Sequence, residues 1–189
     1  MKNGLIILGI FVVFSCKAQQ QVFPLNTYPD NVPVNSYFKD LNNELNPYIG
    51  IWTASFEDKM ITLNISKQIE MPIKLFGKNF YTDQLFIRYE VKKNGVVSES
   101  TLNKDFINDV GLSIKSLLTQ DNGNKVIFLF SGGNCSVGIG TINLKKINAT
   151  QFSWGYYPGT TTTNDINCPP DREYKIYLPE TENLVFTKQ

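Results

Sequence analysis

The chemistry open to this 189-residue chain is that of carboxylates, amides and aromatic rings, since it holds 17 Asp and Glu and no His. Without imidazole there is no Ser-His-Asp or Cys-His nucleophile and no His-containing zinc site. Cys16, Cys135 and Cys168 are too few for a four-thiolate site. An all-oxygen site would suit Ca²⁺ or Mg²⁺. Asp165, Asn167, Asp171 and Glu173 could supply oxygens, but their spacing departs from an EF-hand loop and they read as solvated loop polarity. No metal and no cofactor is therefore expected. A glycosidase needs two carboxylates flanking a site, and no pair stands out. Gly133 and Gly138 have the gap of a phosphate-binding loop, yet Ile139 and Gly140 stand where that loop needs Lys and Ser or Thr. These glycines read as a hairpin turn and a curved strand, with Gly138 and Gly140 leaving interior space for a ligand. The expectation is a protein that is not an enzyme, with a hydrolase using carboxylates as the third reading.

What remains is binding by aromatic surface, and the chain has 13 Phe, 9 Tyr and 2 Trp. Trp52, Tyr89, Trp154 and Tyr156, with Gly138 and Gly140, are the candidate ligand-binding residues; core packing accounts for the rings equally well. A net charge of +1 gives no electrostatic footprint for nucleic acid or for an anionic membrane surface.

The elements that would carry these residues are strands. Trp52, Ala54 and Phe56 alternate with Thr53 and Ser55. Glu57-Asp58-Lys59 breaks the pattern, and Ile61, Leu63 and Ile65 resume it, which predicts a β-hairpin. Ile69 to Asn79, containing Pro72, reads as a connection. Leu85, Ile87, Tyr89 and Val91 form the cleanest alternation, followed by the hairpin signal Asn94-Gly95. Leu112–Leu118 reads as a strand, with a short helix as the alternative. Val126–Phe130 is apolar on both faces and reads as a fully buried strand. Cys135–Leu144, Gln151–Tyr157, Tyr174–Leu178 and Leu184–Lys188 complete an all-β domain over residues 46–189, an antiparallel barrel or, second, a sandwich. Ahead of it, residues 19–45 form a Pro-rich arm and a short helix over Ser36–Leu45, capped by Ser36 with Phe38, Leu41 and Leu45 at helical spacing.

Residues 1–18 read as an export signal: Lys2, then the apolar run Leu5–Phe14, too short to span a membrane. Val13-Phe14-Ser15-Cys16 resembles a bacterial lipobox, which would lipidate Cys16; the other reading is cleavage after Ala18. Either places the protein in the periplasm or on the outer membrane, held to the bilayer only by that anchor. Either also leaves Cys135 and Cys168 as an even pair in an oxidising compartment, expected to bond and to stabilise by about 3–4 kcal/mol.

Tyr48-Ile49-Gly50-Ile51-Trp52 followed by a hairpin resembles the opening of lipocalin-like (calycin) barrels. That likeness implies a barrel holding a small apolar or amphipathic ligand inside. A broader likeness runs through Phe23–Tyr28, Asp40–Leu45, Ser131–Gly138, Gln151–Trp154 and Tyr177–Asn183. Together these resemble an uncharacterised family of small exported bacterial proteins, a domain of unknown function. The functional expectation is an envelope protein binding a small apolar ligand in a barrel. The alternative is a structural or protein-interaction module whose contact surface is the long Pro158–Arg172 loop.

Overall fold

The computed structural model describes residues 20–162, 168–171 and 173–189. The expected export signal, with Cys16 and Ala18, and the loop residues Asp165 and Asn167 lie outside them. The strands are β1 (Val22–Pro24), β2 (Tyr37–Lys39), β3 (Gly50–Phe56), β4 (Lys59–Leu75), β5 (Lys78–Lys93), β6 (Val96–Ser100), β7 (Ile114–Gln120), β8 (Lys125–Phe130), β9 (Gly140–Lys146), β10 (Gln151–Pro158) and β11 (Leu184–Lys188).

The architecture is a closed barrel rather than a sandwich. Running β5-β4-β3-β11-β10-β9-β8-β7 and back to β5, eight strands pair antiparallel all the way round. Each contributes its period-2 apolar set to one interior. Trp52 and Ala54 come from β3, Ile61, Leu63 and Ile65 from β4, and Leu85, Ile87, Tyr89 and Val91 from β5. Val126, Phe128 and Phe130 of β8 and Phe152, Trp154 and Tyr156 of β10 complete the far wall. β8 alternates instead of burying both faces: Leu129 is exposed.

β5 carries the most unusual pairing. One edge follows β4 from Lys93 to Lys78. The other edge is shared by three strands in turn: β6 at Glu90–Lys93, β7 only at Phe86 and Ile87, and β2 at Tyr81 and Thr82. The β5–β7 ladder therefore ends early. Beyond it the Ser116 hydroxyl accepts from the Leu85 N–H at 2.8 Å, and Gln84 Nε2 donates to the Ser116 carbonyl at 2.9 Å. The two strands then part.

The stretch expected as a Pro72-containing connection is the continuation of the β4–β5 hairpin. A bulge leaves Ile69 and Glu70 out of register, after which Met71–Leu75 pairs with Lys78–Thr82. Pro72 is tolerated because β4 has lost β3 as a neighbour there and is an edge strand. At about 3.3 Å per residue, this ribbon runs on the order of 15 Å past the bulge.

Two further expectations are corrected. Ser36–Leu45 is not a helix. Its backbone pairs instead, with Tyr81 N–H donating to the Ser36 carbonyl at 2.9 Å and β2 lying parallel to β5. Its three apolar residues go to three environments: Phe38 packs on Phe80, Leu41 faces solvent, and Leu45 enters the barrel. Tyr174–Leu178 forms no strand. The chain after it docks through Trp154 Nε1, donating to the Pro179 carbonyl at 3.1 Å, and Tyr156 N–H, donating to the Thr181 carbonyl at 3.1 Å. Ile176 and Leu178 pack against the barrel core. Of Leu112–Leu118 the part from Ile114 on is strand, within β7, and Cys135 and Cys168 are bonded.

Candidate functional site

The sequence places its six candidate ligand residues around the barrel interior, and the structure brings them together there, with one another rather than around a space. Trp52 is 2% exposed and donates its indole N–H to the Tyr48 carbonyl at 2.8 Å. Phe152 packs on Trp52 at 4.5 Å between ring centres and on Phe186 at 5.5 Å, and Trp154 adjoins Phe186 at 5.7 Å. Tyr156 meets Phe130 edge-on at 5.8 Å, and its hydroxyl donates to the Gly138 carbonyl. A Cβ on Gly138 would stand 2.7 Å from the Tyr156 hydroxyl oxygen, and one on Gly140 would stand 2.3 Å from the Tyr157 carbonyl oxygen. The absent side chains of both glycines are already replaced by neighbours. The four rings belong to the packed core, and the space beside Gly138 and Gly140 is taken by Tyr156, Ile176 and the Tyr157 and Pro158 backbone.

An open apolar space lies outside the ring, where β5 parts from β7. It is a cleft of about 350 Å³. Its floor is the bulged edge of β7, where register slips between Ser116 and Leu118 and Leu117 is turned out of the ladder. One wall is the ribbon, through Ile73, Leu75 and Phe76. The other is Phe38 and the arm, through Leu25 and Tyr28. Thr82, Thr119 and Gln120 on the strands and Asn26 and Thr27 on the arm supply the polar groups, and no charged side chain lines the cleft. A second space, of about 380 Å³ on the other side of the ribbon, shares Ile73 and Leu117 with the first and reaches Leu129 and Ile139.

The walls are held by carboxylates that the sequence did not single out. Asp83, on β5, is buried. It accepts from the Tyr37 hydroxyl, from the Asp40 N–H at 3.0 Å and from the Glu70 N–H at 3.2 Å. One carboxylate thus ties the arm, β2 and the ribbon bulge together. Asp40 is buried beside it. It accepts from the backbone N–H groups of Glu44 at 2.7 Å and Leu45 at 3.2 Å and pairs with Lys67 at 2.7 Å. Buried charges satisfied by that many donors are structural. Above them, Val32, Phe38 and Phe80 form a small second core, with Phe23, Leu25, Ile73 and Leu75 against it. This core sets the distance between arm and ribbon, hence the width of the cleft.

At the far end of the barrel the polar groups are arranged differently. The Tyr89 hydroxyl, inside the barrel, donates to Glu99 Oε2 at 2.6 Å. Burial pushes both the Tyr89 phenol and the Glu99 carboxyl up. Glu173, whose carboxylate accepts from the Tyr177 hydroxyl at 2.7 Å, also holds Glu99 up by like charge. That end is roofed by the segment joined through Cys135–Cys168, with Asn134 Nδ2 donating to the Glu173 carbonyl at 2.8 Å.

The sequence also missed Phe106, fully buried on the outer face of β5 against Phe86 and under the Arg88 guanidinium at 5.1 Å. A lone Phe in the polar run Asn103–Asp109 was the available signal. For the cleft, the signal was the adjacent pair Leu117-Leu118, which breaks the strand's alternation where the bulge occurs.

No curated protein and no solved structure matches the chain. A family of unknown function, DUF6705, matches it over residues 1–189, and the chain belongs to that family.

Proposed function

We propose that this protein is a non-enzymatic binder of a small apolar or amphipathic molecule, carried in the cell envelope, and that the molecule sits in the cleft between the ribbon, the arm and β7 rather than inside the ring. The observation that carries the reading is the cleft itself: open, about 350 Å³, walled by Leu25, Phe38, Ile73, Leu75, Leu117 and Leu118, and without a charged side chain. That volume is within the range of small-molecule sites. At about 30 Å³ per water-sized group it holds on the order of a dozen heavy atoms. Thr82, Thr119 and Gln120 on the strands, with Asn26 and Thr27 on the arm, suit an amphipathic ligand. The envelope address rests on Lys2 with the Leu5–Phe14 run, on the lipobox-like Cys16 and on the Cys135–Cys168 bond, which is compatible with an oxidising compartment.

The test is native mass spectrometry of protein purified without refolding, alongside the Leu117→Arg variant. A small molecule released from the wild type on denaturation and missing from Leu117→Arg supports the cleft. The substitution is at a bulged, half-buried position and is expected to cost no more than about 1 kcal/mol of stability. A molecule retained by Leu117→Arg would remove the cleft as its site.

A further inference from the structure

The chain makes two hairpins through two-residue turns with both central residues at positive φ, and they differ in one residue. In the β5–β6 hairpin the turn is Asn94-Gly95, with φ 50° and 81°. In the β4–β5 ribbon it is Phe76-Gly77, with φ 48° and 77°. Asn and Gly take the left-handed region cheaply and are the favoured residues for such turns. A bulky L side chain there costs about 1–2 kcal/mol. The fold returns little to Phe76 for that cost, since the residue is 71% exposed although it lines the cleft. Its aromatic neighbour, Tyr28 at 6.3 Å between ring centres, is 65% exposed. Phe76 thus breaks both the turn rule and the burial rule at the tip of the β4–β5 ribbon. A double violation with so little internal compensation points to an external contact.

We propose that this tip is a docking surface for a lipid bilayer, with Phe76 and Tyr28 seated at headgroup depth and Lys74 and Lys78 on lipid phosphates. Aromatic rings with an apolar body and a wet edge settle at the membrane–water interface. The two lysines flank the tip, are exposed, and have no ion-pair partner among the described residues. Each is worth about 1 kcal/mol near an anionic leaflet. The chain's net charge of +1 does not register so local a pair. A protein partner is disfavoured by size: a stable interface takes roughly 20–30 residues a side, and the tip presents two rings and two ammonium groups. Tyr28 and Phe76 also line the cleft, so a docked tip places its mouth on the bilayer. The docking itself stands whether or not the cleft is occupied.

The experiment uses the full chain with a fluorescent reporter at the tip. Trp52 and Trp154 are both buried, so Phe76→Trp adds the one exposed indole among the described residues. Vesicles of phosphatidylcholine and phosphatidylglycerol, with and without brominated acyl chains, are added to it and to Val96→Trp, an exposed control on the other hairpin. The readout is local, so contact made elsewhere in the chain does not register. The expected result is a blue shift and bromolipid quenching of the added indole in Phe76→Trp, none in Val96→Trp, and loss of quenching when Lys74→Glu and Lys78→Glu are introduced. Phe76→Asn, which restores the preferred turn residue, should raise the unfolding midpoint while abolishing tip contact, read as loss of quenching from a Tyr28→Trp reporter. Three results overturn the proposal: equal quenching at both hairpins, a water-like indole in Phe76→Trp at saturating lipid, or a blue shift that follows protein concentration without lipid, which would assign the tip to a second copy of the chain.

Discussion

Along β5 the molecule passes from closed to open. From Ile87 to Val91 the inward side chains are fully buried, and Tyr89 finds its hydrogen-bond partner in Glu99 on the paired strand β6. Five residues earlier, at Thr82, the same strand has β2 instead of a barrel strand on its edge and looks onto an open cleft. Both regions are built from apolar side chains. In the first, large rings reach across the ring of strands and touch. In the second, a bulge on β4 and a bulge on β7 turn the backbones apart before side chains can meet. The difference lies in the register of two strands, and it divides the apolar surface into one part packed as core and one part that lines an open cleft.

The largest effect that would sharpen this division comes from Trp154→Ala. Its indole is fully buried among rings, and truncation should cost about 3–5 kcal/mol in urea unfolding. Binding per folded molecule should be unchanged; a selective loss of ligand at full stability would break the comparison, by putting the guest back inside the ring. Next is Asp83→Ala, which strands the donors of Tyr37, Asp40 and Glu70. A cost of about 2–3 kcal/mol is expected. Limited proteolysis should then cut first in the arm while β8–β11 stays protected, because this carboxylate joins the cleft walls and touches nothing in the far wall. Uniform loss of protection would mean that the two regions are one cooperative unit.

The smallest effect is a pH slope at the closed end. Burial raises the Glu99 carboxyl in the folded state above its ordinary value in the unfolded chain. The folded protein therefore holds that proton more tightly. The contribution of Glu99 to stability is greatest below the ordinary carboxylate range and falls as pH rises through its raised folded value. Glu99→Gln keeps an acceptor for the Tyr89 hydroxyl and removes the titration. The difference in urea midpoint between the variant and the wild type should grow in favour of the variant from pH about 4 to about 8. A flat difference would show that Glu99 is wetter than its burial implies.

Much of the closed region was legible in the sequence. Period-2 runs at Trp52–Phe56, Ile61–Ile65 and Leu85–Val91 assign faces directly, Asn94-Gly95 fixes a turn, and the even pair Cys135 and Cys168 gives the staple. The open region was not legible, for physical reasons. Its walls come from residues near 25, 38, 75 and 118, and no periodicity within one segment records a space between four. Phe38, Leu41 and Leu45 do have helical spacing. The backbone there is claimed instead by the edge of β5 and by Asp40, whose carboxylate gathers the N–H groups of Glu44 and Leu45. Asp83 reads in sequence as one more surface acid beside a strand; only the parallel approach of β2 buries it.

The ring has one further property, set by the order of its strands along the chain. β3 and β10 are joined only through β11, with Thr187 opposite Thr53 and Lys188 opposite Trp52 on one side and Leu184–Thr187 along β10 on the other. Until residues 184–188 leave the ribosome the ring has a gap, and Phe186, which bridges Phe152 and Trp154, is missing from its core. The ring cannot close until β11 is in place, so closure waits on a pairing between distant parts of the sequence, the kind of contact that forms slowly.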